Sequence, residues 1–280
     1  MKNYFSTKLA IASIVIVFLG CSSDENTSDP SSTSETDVSI TDELHLAYSE
    51  FSPENVTVLL DGNSVVIESN GMPNHTSPYW SNTTERVATD PMGNELVTPA
   101  ASENHVLFVE PTVTSYEQMA PGNIDNFNGE YSLTVPANPT LASSSSATGL
   151  GPIGIAISGA MIYNDEEGPN VPLNNAVGSL DYTAAHTGPQ SYHYHLETKA
   201  WSNDDNNLIG VMADGFFLYG RKCNSTGDYP ADLDASGGHT STTQHTTDAE
   251  YHYHIQNEVF LNQFYILFPG DYQGTPSAIQ

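Results

Sequence analysis

The chain has 280 residues, enough for one large β domain or two small ones. Six Lys and Arg stand against thirty-four Asp and Glu, a formal charge of −28. That surface repels nucleic acid and anionic lipid, so nucleic-acid binding is excluded, and the surplus acid otherwise serves solubility in salty surroundings.

Residues 1–20 are a targeting segment and stay outside the fold. Lys2 and Lys8 give a basic start, and Leu9 to Leu19 is an apolar run too short to span a bilayer comfortably. Gly20-Cys21 follows. The pattern resembles a bacterial lipoprotein signal, although Phe18 stands where Leu is usual. The resemblance implies lipid on Cys21, a membrane partner through that lipid, and an outer-membrane protein facing the periplasm or the cell surface. Ser22-Ser23-Asp24-Glu25 is similar to the surface-export signals of Bacteroidota lipoproteins. Residues 21–43 are rich in Ser, Thr, Asp and Glu with few large apolar groups, the composition of a flexible tether. Only Cys21 and Cys223 occur, so a lipidated Cys21 leaves no intrachain disulfide, and Cys223 reads as a small buried side chain.

Residues 44–280 read as one mainly β domain. Val56, Val58 and Leu60 alternate, Asp61-Gly62-Asn63 signals a turn, and Val65 and Ile67 alternate again, which predicts a hairpin. Val106 to Val109 and Tyr131 to Val135 are further short strands, while prolines at 111, 121, 136 and 139 break any long helix. Ser143 to Ser146 is an exposed loop.

The second half repeats itself over about 153–195 and 209–254. Ile153-Gly154 through Tyr163 aligns without gaps on Ile209-Gly210 through Tyr219, and Ser158-Gly159 and Asp214-Gly215 read as the hairpin turns. Leu180-Asp181, four residues, His186-Thr187 aligns on Leu233-Asp234, four residues, His239-Thr240. Each copy then reaches the same string, Tyr192-His193-Tyr194-His195 and Tyr251-His252-Tyr253-His254. The first motif His lies seven positions after the block His in copy one and thirteen after it in copy two, where the extra loop carries His245. The unit is a hairpin, a loop and a His-bearing strand, and the whole is sandwich- or barrel-like with few or no long helices.

On a strand, Tyr-His-Tyr-His puts both Tyr on one face and both His on the other, the two imidazoles about 7 Å apart. The Tyr face packs inward. A His-x-His pair with a third His from a neighbouring element makes a three-point metal site, His186, His193 and His195 in copy one and His239, His252 and His254 in copy two. The local pattern resembles the ligand set of the α-class carbonic anhydrases. The two sets either hold one ion each or pool about a pseudo-twofold axis. Nitrogen donors suit a transition metal, zinc or copper first, over calcium or magnesium. Asp181 and Asp234 are the candidate acid–base or imidazole-orienting groups; their plain alternative is to cap their own loops. The plain alternative for the motifs is a solvated sheet face lined with imidazoles. His45 and His105 read as ordinary surface or core residues, and His75, in a tight turn, reaches toward the site.

These residues resemble the YHYH-domain proteins. The likeness rests on Ser69 to His75, Gly151-Pro152-Ile153-Gly154, Asp214-Gly215-Phe216, Gly238-His239-Thr240 and both four-residue motifs, and runs from about residue 50 to 260. Ala185 stands where the pattern leads one to expect the Gly seen at Gly238. The resemblance implies one domain with a shared site and brings no reaction with it. Two functions remain open. One is a metal-dependent enzyme, such as a hydrolase acting on an extracellular substrate through a metal-activated water. The other is a non-catalytic surface module that binds a glycan, a metal ion or a protein.

Overall fold

Alternating Val56, Val58 and Leu60 form β1 (Val56–Asp61), which turns through Gly62 into β2 (Ser64–Ser69) in antiparallel register from Val56–Ser69 to Asp61–Ser64. Gly62 takes the φ of +57° that the two-residue turn requires. β3 (Tyr131–Pro136) joins the other edge of β2, and the period-two pattern buries Tyr131, Leu133 and Val135 together with Val65 and Ile67. The computed structural model describes residues 43–75, 77, 127–177, 180, 181, 183–188, 190–198 and 202–280. The targeting segment, Cys21 and nearly all of the tether, the strand expected at Val106 to Val109, and His105 lie outside the described residues.

The repeat builds the second sheet. Copy one supplies β4 (Gly154–Ala156), β5 (Met161–Ile162), β8 (Ala185–Gly188) and β9 (Ser191–Tyr194); between them β6 (Glu166–Gly168) and β7 (Val171–Pro172) form a small separate ribbon. Copy two supplies β10 (Leu208–Met212), β11 (Phe217–Tyr219), β12 (Gly238–Ser241) and β13 (Glu250–His254). The eight strands run in the order β12-β13-β11-β10-β4-β5-β9-β8. One half of that order mirrors the other. At the centre β4 and β10 pair antiparallel with Ile155 opposite Val211, which are equivalent positions of the two copies, so a pseudo-twofold axis passes between them. Gly154 and Gly210 permit the crossing. A Cβ on Gly210 would stand 2.3 Å from the Ile155 carbonyl oxygen, and one on Gly154 2.7 Å from that of Val211.

The copies agree in hydrogen bonding as well. Ala156 N donates to Ala160 O and Met212 N to Phe216 O, each at 2.9 Å across its turn, where Gly159 and Gly215 have positive φ. β5 lies parallel to β9 with Ile162 opposite Tyr194, and β11 parallel to β13 with Leu218 opposite Tyr253. The three-stranded sheet and the eight-stranded sheet share one core, in which Val65, Ile67 and Leu133 join Ile155, Val211, Tyr194 and Tyr253. The protein is mainly β and sandwich-like, and among the described residues no sheet closes into a barrel. Among the described residues there is no α-helix; the helical turns, such as Leu46–Glu50 and Leu173–Asn175, are 3-10. After β13 the chain continues as ordered coil whose backbone bonds both copies. Leu267 N donates to His195 O, and Ser277 N to Ala213 O.

Candidate metal centres

In copy one β8 and β9 pair antiparallel with His186 directly opposite His193, and His195 follows where the strand ends. In copy two His239 stands opposite His252 in the same register, with His254 last in β13. Each triad closes on itself. Ring centroids lie 4.6, 5.4 and 4.8 Å apart in copy one and 4.9, 5.1 and 4.9 Å apart in copy two. Five strand steps separate β9 from β13, about 24 Å along the sheet, so the six imidazoles form two centres and do not pool. All six are 8% exposed or less, which overturns the alternative of a solvated imidazole face.

The hydrogen bonds fix which nitrogen looks into each centre. His195 Nδ1 donates to the Asn164 carbonyl at 2.7 Å, and His254 Nδ1 donates to the Gly220 carbonyl at 2.7 Å. Asn164 and Gly220 are equivalent residues of the two hairpins. His252 Nδ1 donates to Glu250 O at 3.0 Å. A carbonyl oxygen only accepts, so these Nδ1 atoms hold the hydrogen and each Nε2 presents a lone pair. His252 Nε2 and His254 Nε2 then face one another at 3.1 Å. His195 Nε2 is buried without a hydrogen bond. His193 Nδ1 lies 3.1 Å from Ser191 Oγ, and its ring stacks on Tyr163 at 3.8 Å. His239 Nδ1 lies 2.9 Å from Asp232 Oδ1, a carboxylate that orients the ring and faces its Nε2 inward. Burial lowers the imidazole pKa values, to about 3 at His186, to about 4 at His195, His252 and His254, and well below the ordinary value at His193. The rings stay neutral, the form in which nitrogen binds a metal.

A further group stands beside each triad. Cys223 clusters with His239, His252 and His254, their ligand atoms all within 4.8 Å of one another. Glu167 Oε2 stands 3.6 Å from both His186 Nε2 and His195 Nε2. Glu167 and Cys223 lie four residues past the closing Tyr163 and Tyr219 of their hairpins, so one position of the repeat supplies both. Carrying the repeat alignment four residues further would have paired them. Cys223 is a free, fully buried thiol, as its sequence context led one to expect. Ser225 Oγ and Ser241 Oγ lie 3.1 and 3.2 Å from its Sγ. Burial alone would raise that thiol, but these hydroxyls and the neighbouring His239 bring it below its ordinary pKa.

Asp181 and Asp234 sit on the opposite side of the strands. Asp181 Oδ2 accepts from Tyr192 Oη at 2.5 Å and Oδ1 from Thr183 N at 2.7 Å; Asp234 Oδ2 accepts from Tyr251 Oη at 2.7 Å and Oδ1 from Ser236 N at 2.9 Å and Gly238 N at 3.0 Å. They cap their loops and anchor the first motif Tyr, because period-two alternation sends Tyr192 and Tyr251 away from the imidazoles. The carboxylate that does orient an imidazole in copy two is Asp232, two residues upstream. His75 likewise meets the Tyr side, its Nε2 2.5 Å from Tyr194 Oη. His45 and His245 link the N-terminal turn to copy two through Glu250 at 3.0 Å and Glu50 at 2.6 Å.

The donors in both clusters fit a transition ion. A tetrahedral ion with bonds of about 2.0–2.1 Å sets its nitrogen and oxygen ligands roughly 3.3 Å apart. The 3.1 Å separation of His252 from His254 and the 3.6 Å separations at Glu167 bracket that edge. The buried His and Cys groups can therefore hold a metal ion. No curated protein and no solved structure matches this chain. A family model described as YHYH protein matches residues 132–230, from β3 past the second hairpin to beyond Cys223, and includes the first motif. Over that stretch the chain is similar to the YHYH proteins.

Proposed function

We propose that the protein is a lipid-anchored, extracytoplasmic metalloprotein with two separate transition-metal centres, His186, His193 and His195 in one and His239, His252 and His254 in the other. The observation that carries this reading is the pair of Nε2 lone pairs facing at 3.1 Å between His252 and His254, with both Nδ1 hydrogens committed to carbonyls. Two lone pairs at that distance repel unless a cation lies between them. Three imidazole nitrogens, with a thiol in copy two, favour zinc or copper over calcium or magnesium. The anchor rests on the basic start, short apolar run and Gly20-Cys21 of the N-terminus.

A divalent ion held at such a centre supplies Lewis-acid chemistry, and a hydrolytic role on an extracellular substrate follows from it. The residues present orient the rings, keep them neutral and exclude bulk water. Burial of the imidazoles speaks against the alternative of a flat His face docking a glycan or a protein.

Elemental analysis of the chain purified without a polyhistidine tag tests the reading. Two equivalents of zinc or copper are expected. Pairwise replacement of His193 and His195 by Gln should remove one equivalent, and replacement of His252 and His254 the other. Less than about a tenth of an equivalent after reconstitution at neutral pH would overturn it.

A further inference from the structure

We infer that the two centres divide their labour: copy two closes on its ion with four protein ligands, His239, His252, His254 and Cys223, while copy one, among the described residues, brings three histidines to its ion and leaves a fourth position to an outside ligand, with the partly exposed Glu167 beside it. This rests on the metal reading above and adds coordination number and access to it.

The repeat makes the contrast a controlled one. Register, Nδ1 acceptor and triad shape are shared, and the fourth group differs. Cys223 is 0% exposed, whereas the Glu167 side chain is 31% exposed. Cys223 is also held by its backbone, its N donating to Asp228 O at 3.0 Å and its carbonyl accepting from Gly227 N at 2.8 Å. A thiolate so fixed completes a tetrahedron, the arrangement of a closed structural site. Glu167 lies where the register between β6 and β7 shifts, in a two-stranded ribbon outside the main sheet. Its Oε2 is 3.6 Å from two imidazole nitrogens, near a ligand edge, and its exposure lets it swing aside. Three histidines with an exposed carboxylate beside them make an open site, which takes water, a small anion or the oxygen of a substrate. The soft sulfur donor further favours zinc or copper(I) in copy two, and the carboxylate a harder divalent ion in copy one.

Cobalt(II) reports both features. The probe is the full chain carrying Cys21→Ser, so that Cys223 is its single thiol, loaded with cobalt(II) and titrated with azide. The expected spectrum has two cobalt ions per chain and one sulfur-to-cobalt charge-transfer band in the near ultraviolet. Cys223→Ser should lose that band, and Glu167→Gln should keep it. Azide should shift the visible bands of the parent and of Cys223→Ser, and leave unchanged a chain in which His193 and His195 are both Gln. Two bound cobalt ions with no charge-transfer band would overturn the closed centre while leaving the metal reading intact, and so would an azide response that survives loss of His193 and His195. Binding of no cobalt would overturn both. The parent band needs no substitution, so the outcome holds even where a variant fails to fold.

Discussion

The Asp181 carboxylate grips the Tyr192 hydroxyl at 2.5 Å on the side of β9 away from His193. Asp234 grips Tyr251 in the other copy, so the repeated Asp belongs to the Tyr half of each motif. Replacing Asp181 by Ala takes a carboxylate acceptor from the buried Tyr192 phenol, which keeps Thr183 Oγ1 at 2.9 Å, and from the Thr183 backbone N–H, at a cost of about 1–3 kcal/mol. We expect a lower denaturation midpoint and unchanged metal content in the fraction that folds. Loss of metal at unchanged stability would place Asp181 with the imidazoles instead.

Burial also sets the acid response of the metal-free chain. The folded pKa values at His186, His195, His252 and His254, about 3 or 4, lie below the ordinary value of about 6.5. The unfolded chain therefore binds more protons as pH falls, and stability falls with it. This contribution is fully present above pH about 6.5 and is lost as pH drops toward 4. Denaturation in the presence of a chelator should show a flat midpoint from pH 8 to 7 and a steep loss below 6. A midpoint flat down to pH 4.5 would contradict neutral buried imidazoles.

How much of this was legible beforehand depended on the range of each signal. Period-two alternation is local, so the first hairpin, β3 and the separation of Tyr from His could be read directly. The repeat was legible because Ile153-Gly154 and Ile209-Gly210 carry the same steric demand. Strand order was not, since pairing β4 with β10 joins residues more than fifty positions apart, and no local pattern distinguishes that from a sheet in which the copies pool their histidines. Glu167 and Cys223 escaped because the alignment stopped at Tyr163 and Tyr219, and their side chains share no chemistry to prolong it. Asp232 escaped because it stands beside the repeated Asp234, whose recurrence drew the assignment to the wrong carboxylate.

The central crossing depends on two missing side chains. A Cβ on Gly210 would meet the Ile155 carbonyl at 2.3 Å and the Ala156 Cα at 2.8 Å, both backbone atoms that cannot turn aside. Gly210→Ala should therefore destabilise by about 1–3 kcal/mol or more, as other forced overpacking does. The control is Gly149→Ala, where nothing lies within 4 Å of the added carbon. Equal midpoints for the two variants would mean that β4 and β10 do not meet in this register.

Arg221 and Glu197 hold the ends of the two copies together. The Arg221 Nε donates to Glu197 Oε1 at 2.9 Å, its Nη1 donates to Asn257 Oδ1 at 2.8 Å, and its guanidinium carbon lies 3.8 Å from the centre of the Tyr265 ring. Glu197 is fully buried, two residues past His195, and Arg221 lies between Gly220, which orients His254, and Cys223. Arg221→Met takes the guanidinium away from a buried carboxylate and should cost up to about 3–5 kcal/mol. Adding Glu197→Gln removes the buried charge and should restore part of that loss, with a coupling energy well above the roughly 0–1 kcal/mol of an exposed pair. Additive losses in the double-mutant cycle would show that the two side chains act independently.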